Sequence, residues 1–189
     1  MFTFRIDDSL DLRLLEERHA DEVFAVVDAN RAHLREWLPW VDDSKSPDDT
    51  RAFIRRSLER FARNDGFNCG IRHEGQVVGC IGLHYIKWTS RKTEIGYWLA
   101  ESAQGRGIMT RACRALTGHL IEDLKLNRVE IRCASGNQRS RAVPKRIGFT
   151  EEAILRQAIV LHGEFQDDVV YAMLAQDWKR VSRENEVAR

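Results

Sequence analysis

The stretch that decides the fold reads Gln104-Gly105-Arg106-Gly107-Ile108-Met109-Thr110. It is followed by apolar residues at the three- and four-residue spacing of an amphipathic helix, namely Ala112, Cys113, Leu116, Leu120, Ile121 and Leu124. The first N–H groups of a helix have no partner inside it, and the aligned peptide dipoles add about half a positive charge there. Gly105 and Gly107 allow unusual backbone angles and let a phosphate approach without meeting a Cβ. With Arg106 as an added cation, the turn predicts a site for a phosphate-bearing cofactor.

The segments on either side of this unit have the character of β-strands, 93–100 before the turn and 128–133 after the helix. Together they make a βαβ unit with a phosphate turn in it. A Walker A loop would need Gly-Lys-Ser/Thr after four spacers, which this stretch lacks. A dinucleotide fingerprint would need a glycine in place of Thr110 and an acid at the tip of the next strand, whereas Glu130 lies mid-strand. Both nucleotide sites therefore fit poorly.

The turn resembles the acyl-CoA motif Gln/Arg-x-x-Gly-x-Gly/Ala of the GCN5-related N-acetyltransferases (GNAT), except that Met109 replaces the small last residue. Four further segments resemble the branch that acetylates the N-termini of ribosomal proteins: 94–99, 126–130, 136–140 and 145–149. The resemblance covers roughly residues 10 to 178. It implies an α/β GNAT fold, with a mixed, mostly antiparallel sheet, flanking helices and a splayed central pair of parallel strands.

The length of 189 residues favours one domain, which we expect over residues 1–180 with a polar tail over 181–189. The 30 Lys and Arg nearly balance the 29 Asp and Glu, so nucleic acid and anionic membrane are disfavoured partners. No apolar run has the length of a membrane span, and the first residues lack a signal-peptide pattern. Cysteines 69, 80, 113 and 133 lack the spacing of metal ligands. The sequence predicts a cytoplasmic protein with reduced cysteines and no metal.

The rest of the chain divides into alternating strands and helices. We expect helices over 21–38, from Pro47 to about Asn64, and over about 137–147. Strands are expected over 10–15, 67–71, 76–83, 149–161 and 164–175. Ser46 is the expected N-cap of the second helix, with Pro47 in its first position.

The resemblance implies where the acyl donor binds. The pantetheine arm of acetyl-CoA would lie in the gap beside the strand that precedes the turn, paired with the backbone of Trp98, Leu99 and Ala100. A free amide near Trp98 or Leu99 would hold the thioester oxygen as charge develops on it. Asn137 would contact the amide groups of the cofactor. The alternative for this strand's side chains is an ordinary core face.

Ser140 is the candidate acid that protonates the departing thiolate, as the resemblance implies. The simpler alternative is that Asn137 and Ser140 only begin a helix, with Asn137 as its cap. Pro144 lacks the N–H that would bind the carbonyl of Ser140, so we expect the helix to be loosened there. Tyr171 is a second candidate acid.

The sequence offers several candidates for the general base. Glu94, on the strand that leads to the turn, is the first candidate, directly or through a water, followed by His84, Asp167 and Asp168. An N-terminal amine with a pKa near 8 costs only about 1.4 kcal/mol to deprotonate at pH 7. A lysine amine with a pKa near 10.4 would cost about 4.6 kcal/mol. A site without a strong base thus favours an α-amino acceptor.

Trp37, Trp40 and Trp88 are candidate walls of an acceptor groove, with packing in the core as the alternative. We therefore predict an acetyl-CoA-dependent N-acetyltransferase that acts in a ternary complex on the N-terminal amine of a protein, such as a ribosomal protein. One alternative acceptor is a small amine, such as a polyamine, an amino sugar or an antibiotic. Another is a CoA-binding module without catalysis. The oligomeric state stays open, a homo-oligomer included.

Overall fold

The computed structural model describes the backbone of residues 3–187 and the side chains of residues 3–182. Within that range, eight strands form one mixed sheet: β1 (Thr3–Arg5), β2 (Leu10–Leu14), β3 (Asn68–His73), β4 (Gln76–Lys87), β5 (Lys92–Leu99), β6 (Arg128–Ala134), β7 (Thr150–Leu161) and β8 (Glu164–Leu174). Their spatial order is β1-β2-β3-β4-β5-β6-β8-β7. Only β5 and β6, among these neighbours, run parallel.

The parallel pair separates half-way along its length. Residues 92–95 of β5 pair with residues 128–131 of β6, but neither strand pairs with the other beyond Ile95 and Ile131. β5 nevertheless continues to Leu99 in contact with β4, and β6 continues to Ala134 in contact with β8. A gap therefore opens in the middle of the sheet, which confirms the predicted α/β architecture with a splayed parallel pair.

Six helices cover the two faces of this sheet in the described part of the chain: α1 (Ala20–Ala29), α2 (Arg31–Arg35), α3 (Pro47–Ala62), α4 (Ile108–Glu122), α5 (Gln138–Ile147) and α6 (Ala175–Val187). The main core lies between the sheet and α4, α5 and α6. A smaller cluster packs α1 and α3 against the other face of β4. As predicted, Ser46 caps α3, accepting a hydrogen bond from the N–H of Asp49.

The helix predicted over 21–38 is broken at Asn30, and this part of the prediction was wrong. The side chain of Asn30 donates to the carbonyl of Val26 (2.8 Å) and accepts from the N–H of Glu101 (2.9 Å). An asparagine side chain can compete in this way for backbone groups that a helix would use. Through the side chain of Asn30, the junction of α1 and α2 is hydrogen-bonded to the segment that follows β5.

The last strand ends at Leu174, and α6 runs through the predicted boundary at residue 180. Trp178 of this helix is 6% exposed, and its indole N–H donates to the carboxylate of Glu122 on α4 (2.6 Å). Val181 packs against the main core. The predicted domain boundary at residue 180 stays a prediction, because the side chains of residues 183–189 lie outside the described residues.

None of the helices in the described range combines the length and hydropathy that a membrane crossing requires. All four cysteines are buried and unbridged.

Candidate active site

A cleft of about 1300 Å³ opens on the face of the sheet that α1, α2 and α3 cover. Its walls come from α3, from the segment 37–40 and from residues 158–161 of β7, and its floor from β4, β5 and β6. The cleft ends at Asn137 and Ser140, which belong to the start of α5. Since α5 packs on the opposite face, the cleft reaches through the gap between β5 and β6.

The glycine turn has the backbone expected of an anion site. Gly105 and Gly107 have φ angles of +74° and +69°, and a Cβ on either would have no heavy atom within 4 Å. Gly107 is the N-cap of α4, and the first N–H bound inside this helix is that of Arg111, which donates to Gly107 (3.0 Å). The preceding amides are thus free of helical partners. Ile108 and Met109 are buried in the core, so their backbone rather than their side chains can bind a phosphate.

The side chain of Gln104, the first residue of the turn, bridges helices α2 and α5. Its amide nitrogen lies 2.8 Å from Nε2 of His33 on α2, and its carbonyl oxygen accepts from Arg139 on α5 (2.6 Å). Neither partner was predicted, because the contacts join segments far apart in sequence. None of residues 104–110 lines the cleft. Arg139 follows cleft-lining Asn137 by two residues, so the turn lies beside the inner end of the cleft.

The free amides of β5 can be assigned from the ladder with β4. Ala100 donates to the carbonyl of Val78 (2.8 Å). Backbone groups alternate in direction along an antiparallel pair, so the N–H of Trp98 also bonds to β4. The N–H groups of Tyr97 and Leu99 point the other way, into the gap. The carbonyl of Ala100 accepts from Ala103 (3.1 Å), so this residue uses both backbone groups internally. Of the three residues predicted to pair with the pantetheine arm, Leu99 is therefore the one whose N–H points into the gap.

Ser140 lies at the end of the cleft in a chain of hydrogen bonds. Its hydroxyl is 3.2 Å from the hydroxyl of Tyr97 and 3.1 Å from the sulfur of Cys133. Burial raises the pKa of Tyr97 well above its ordinary value, and burial raises the pKa of Cys133 to about 11. Both groups are therefore neutral hydrogen-bond partners at neutral pH.

Asn137 and Tyr97 shape the turn of α5 that carries Ser140. The side chain of Asn137 accepts from the N–H of Ser140 (3.0 Å), so it is the helix cap that the simpler alternative predicted. The carbonyl of Ser140, which Pro144 cannot bind, accepts from the hydroxyl of Tyr97 (3.1 Å). Helix α5 stays continuous as a result, rather than opening at Ser140. The donor to this carbonyl could not be predicted from the sequence, because Tyr97 lies 43 residues from Ser140.

Three of the four candidate bases meet on the floor of the cleft. Glu94 lies 3.9 Å from His84 and 3.6 Å from Arg132, and Arg132 lies 3.6 Å from Asp168. Burial raises the pKa of Asp168, the charge of Arg132 lowers it, and the charge of Glu94 raises it. Gly96 makes room for His84, since a Cβ there would lie 2.4 Å from Nε2 of the ring.

Comparison with known proteins identifies the family. The profile of the acetyltransferase (GNAT) domain matches residues 9–150. The chain belongs to the GNAT acetyltransferase family. It is similar to YdaF of Bacillus subtilis, with 38% identity over 180 residues, which is 95% of this chain and 98% of the relative. It is also similar to the ribosomal-protein-serine acetyltransferase of Escherichia coli, with 31% identity over 91% of this chain and 96% of that protein.

A solved structure supports the same assignment. RimL, a ribosomal L7/L12 α-N-protein acetyltransferase in complex with coenzyme A, superposes with a TM-score of 0.89 at 30% identity. The match covers 92% of this chain and 98% of RimL. The predicted family, fold and cofactor are thereby confirmed: the chain is an N-acetyltransferase, and acetyl-CoA is its acyl donor.

Three of the candidate catalytic and acceptor-binding residues of this acetyltransferase lie away from the cleft. The hydroxyl of Tyr171 donates to Glu151 (2.8 Å) and accepts from Arg141 (3.0 Å), and the residue is fully buried. Trp88 follows β4 and donates its indole N–H to the carbonyl of Asn64 (2.6 Å). Neither lines the cleft. Asp167 is likewise outside it, where its carboxylate accepts from the N–H of Gln157 (2.9 Å).

Trp37 and Trp40, the remaining candidate walls of an acceptor groove, line the cleft. The ring of Trp40 lies 6.4 Å from that of Trp98, and a Cβ at Gly136 would lie 3.2 Å from the ring of Trp37. Among the described side chains, no group of three or more His, Cys, Asp or Glu is placed to hold a metal ion.

Proposed function

We propose that this acetyltransferase transfers the acetyl group to the N-terminal amine of a protein, such as a ribosomal protein. The observation that carries the proposal is the cleft that starts on the α1–α3 face and ends in the gap between β5 and β6. The phosphate turn begins α4 on the opposite face. Acceptor and donor can therefore meet in the gap from two sides, in a ternary complex. The names of the Escherichia coli relative and of RimL support a ribosomal acceptor.

The residues present fit the acyl donor, which supplies the acetyl group as a thioester. The amides from Gly105 to Thr110, which have no backbone partner within the described residues, would hold the pyrophosphate, helped by exposed Arg106. The N–H of Leu99 would hold the thioester oxygen as negative charge develops there. Asn137 uses its carbonyl oxygen as a cap, while its NH₂ group has no partner among the described residues and is left for an amide carbonyl of the donor.

Attack needs a neutral amine and a protonated leaving group. Glu94, assisted by His84 and Asp168, would take the proton of the α-ammonium group, directly or through a water. The amine would then form the new C–N bond as the C–S bond breaks. The hydroxyl of Ser140 would give its proton to the departing thiolate and regain one from the acylated nitrogen, and the hydrogen-bond chain through Tyr97 holds that hydroxyl in place.

The test is acetylation of peptides that begin with serine or alanine, followed by thiol release and by mass spectrometry of the product. We expect acetylation at the N-terminal amine and none on matched peptides that carry a blocked N-terminus and an internal lysine. Spermidine and an amino sugar serve as small-amine arms. Turnover of these amines with none of the peptides would refute the proposal.

Three further features belong to the proposal. An enzyme that acetylates a ribosomal protein would act in the cytoplasm. The numbers of acidic and basic residues nearly balance, which supports an acceptor other than nucleic acid. A homo-oligomer is supported by the outer strand β7, where Ile154 is 53% exposed, and by Phe165 on β8, 66% exposed. Sedimentation of wild type and Phe165→Glu at several concentrations tests this last point, with a shift toward monomer expected in the variant.

A further inference from the structure

One face of α3 forms a wall of the cleft and carries charges of both signs. Asp49, Phe53, Arg56 and Arg60 all line the cleft, at the spacing of a single helical stripe. The carboxylate of Asp49 is engaged at the start of the helix, where it accepts from the N–H groups of Lys45 (3.0 Å) and Ser46 (2.9 Å). The cations lie on the later turns, about 10 Å and about 16 Å along the helix axis from Asp49.

Arg56 differs from the other arginines of this helix and this cleft. Arg55 pairs with Glu17 (3.0 Å), Arg51 with Asp48 (3.6 Å), and Arg132 with Glu94 and Asp168. Arg56 is exposed and forms no ion pair or hydrogen bond with any residue in the described range. It also stands four residues from Arg60, and like charges at this spacing destabilise a helix. An anion in the cleft would offset that repulsion.

Arg60 fixes the position of this pair relative to the reacting groups. Its guanidinium donates to the carbonyls of Leu83 (2.7 Å) and His84 (2.9 Å), at the point where β4 shifts register against β5. His84 in turn lies beside Glu94, the candidate base. Arg60 is thus held next to the place of the acceptor amine, and Arg56 lies one helical turn away, about 6 Å along the axis.

From these contacts we propose that Arg56, with Arg60 beside it, binds a carboxylate of the acceptor and so determines peptide specificity. The inference rests on the proposed function and names the acceptor class more closely. An extended peptide advances about 3.4 Å per residue, so the carboxylate belongs to an aspartate or glutamate in the second to fourth position. Arginine suits this role because its planar fork can donate two parallel hydrogen bonds to a carboxylate.

The experiment compares kcat/KM for pairs of serine-initiated octapeptides that carry aspartate or asparagine at the second, third or fourth position. For the wild type we expect aspartate to be preferred about tenfold at one of these positions, as a charge-assisted hydrogen bond allows. Arg56→Gln should abolish the preference by lowering kcat/KM for the aspartate peptide to about that for the asparagine peptide. Arg56→Glu should reverse it in favour of a lysine peptide. Arg55→Gln is the matched control on the same helix and should keep the preference.

The possible failures are distinct. If the peptides are acetylated equally well with aspartate and asparagine at every position, the inference about Arg56 is wrong and the proposed function stands. If Arg56→Gln keeps the full preference, the carboxylate binds elsewhere and the inference is again wrong. If no peptide is acetylated, the proposed function fails and the inference fails with it.

Discussion

The hydroxyl of Ser140 hydrogen-bonds to two neutral groups, the Tyr97 hydroxyl and the Cys133 thiol. Such a hydroxyl keeps its proton at neutral pH, and at hydrogen-bond distance from a leaving thiolate it can donate that proton. The same residue begins α5, where Asn137 binds its N–H. The helix start and the chemical role are therefore compatible at one residue.

Ser140→Ala should lower kcat by a factor of about 10² while changing CoA affinity little, since general acid catalysis contributes on this scale. Initial rates and calorimetry with CoA measure the two quantities separately. Cys133→Ala is the control, because it removes a neighbour of the hydroxyl but keeps its bond to Tyr97. Equal turnover in Ser140→Ala and wild type would reduce Ser140 to a helix-start residue.

At the scale of the element, α5 tolerates an internal proline because a strand supplies the missing donor. Tyr97 on β5 binds the carbonyl of Ser140 that Pro144 leaves open. Tyr97→Phe should destabilise the fold by about 1 kcal/mol or more, since it leaves a carbonyl without this donor. The cost should be smaller in a Pro144→Ala background, where residue 144 regains an N–H. A double-mutant cycle in urea measures the coupling, and strict additivity of the two changes would contradict this account.

The phosphate turn is the second element with a direct test. Gly107 has a left-handed backbone at the start of α4, which costs a residue with a Cβ about 1–2 kcal/mol. Gly107→Val should therefore distort the turn and raise the KM for acetyl-CoA by about tenfold. Gly107→Asn is the matched control, because asparagine adopts this conformation more readily. Unchanged CoA affinity in the valine variant would show that the turn does not hold the donor.

Local signals explain which elements the sequence could predict. The caps at Ser46 and Asn137 and the glycines of the turn act within a few residues, so their roles follow from spacing alone. The roles of Tyr97, of Trp88 and of α6 depend on partners more than 20 residues away, such as Ser140 and Glu122. The unpaired state of Arg56 could not be predicted either, since a sequence of balanced charge does not say which charges meet.

At the scale of the whole molecule, Glu130 joins the strands around the parallel pair. It lies 3.3 Å from Lys92 of β5 and 2.7 Å from Arg128, which also binds Glu152 of β7. Burial raises the pKa of Glu130, but hydrogen bonds and charge from Arg128, with Lys92, outweigh burial and leave the pKa below its ordinary value. The folded protein therefore binds this proton more weakly than the unfolded chain does.

Glu130→Gln should lower the free energy of unfolding at neutral pH by about 1–3 kcal/mol, because it removes the charge from a buried hydrogen-bonded group. The difference from wild type should be full above the unfolded carboxyl pKa, about 4.3, and should shrink as the pH falls below it. Urea unfolding at a series of pH values measures this. Glu152→Gln, at the exposed end of the network, should have a smaller effect. A difference that grows toward acid pH would contradict the assignment.

In the proposed reaction, donor and acceptor reach the gap between β5 and β6 from opposite faces of the sheet. The most direct measurement is a crystal structure with a conjugate that joins the sulfur of CoA, through an acetyl linker, to the N-terminal amine of a serine peptide. We expect the pyrophosphate on the amides from Gly105 to Thr110, the linker between Leu99 and Ser140, and the peptide along α3. A peptide that leaves on the α4 face, or a pyrophosphate bound away from the turn, would contradict the account.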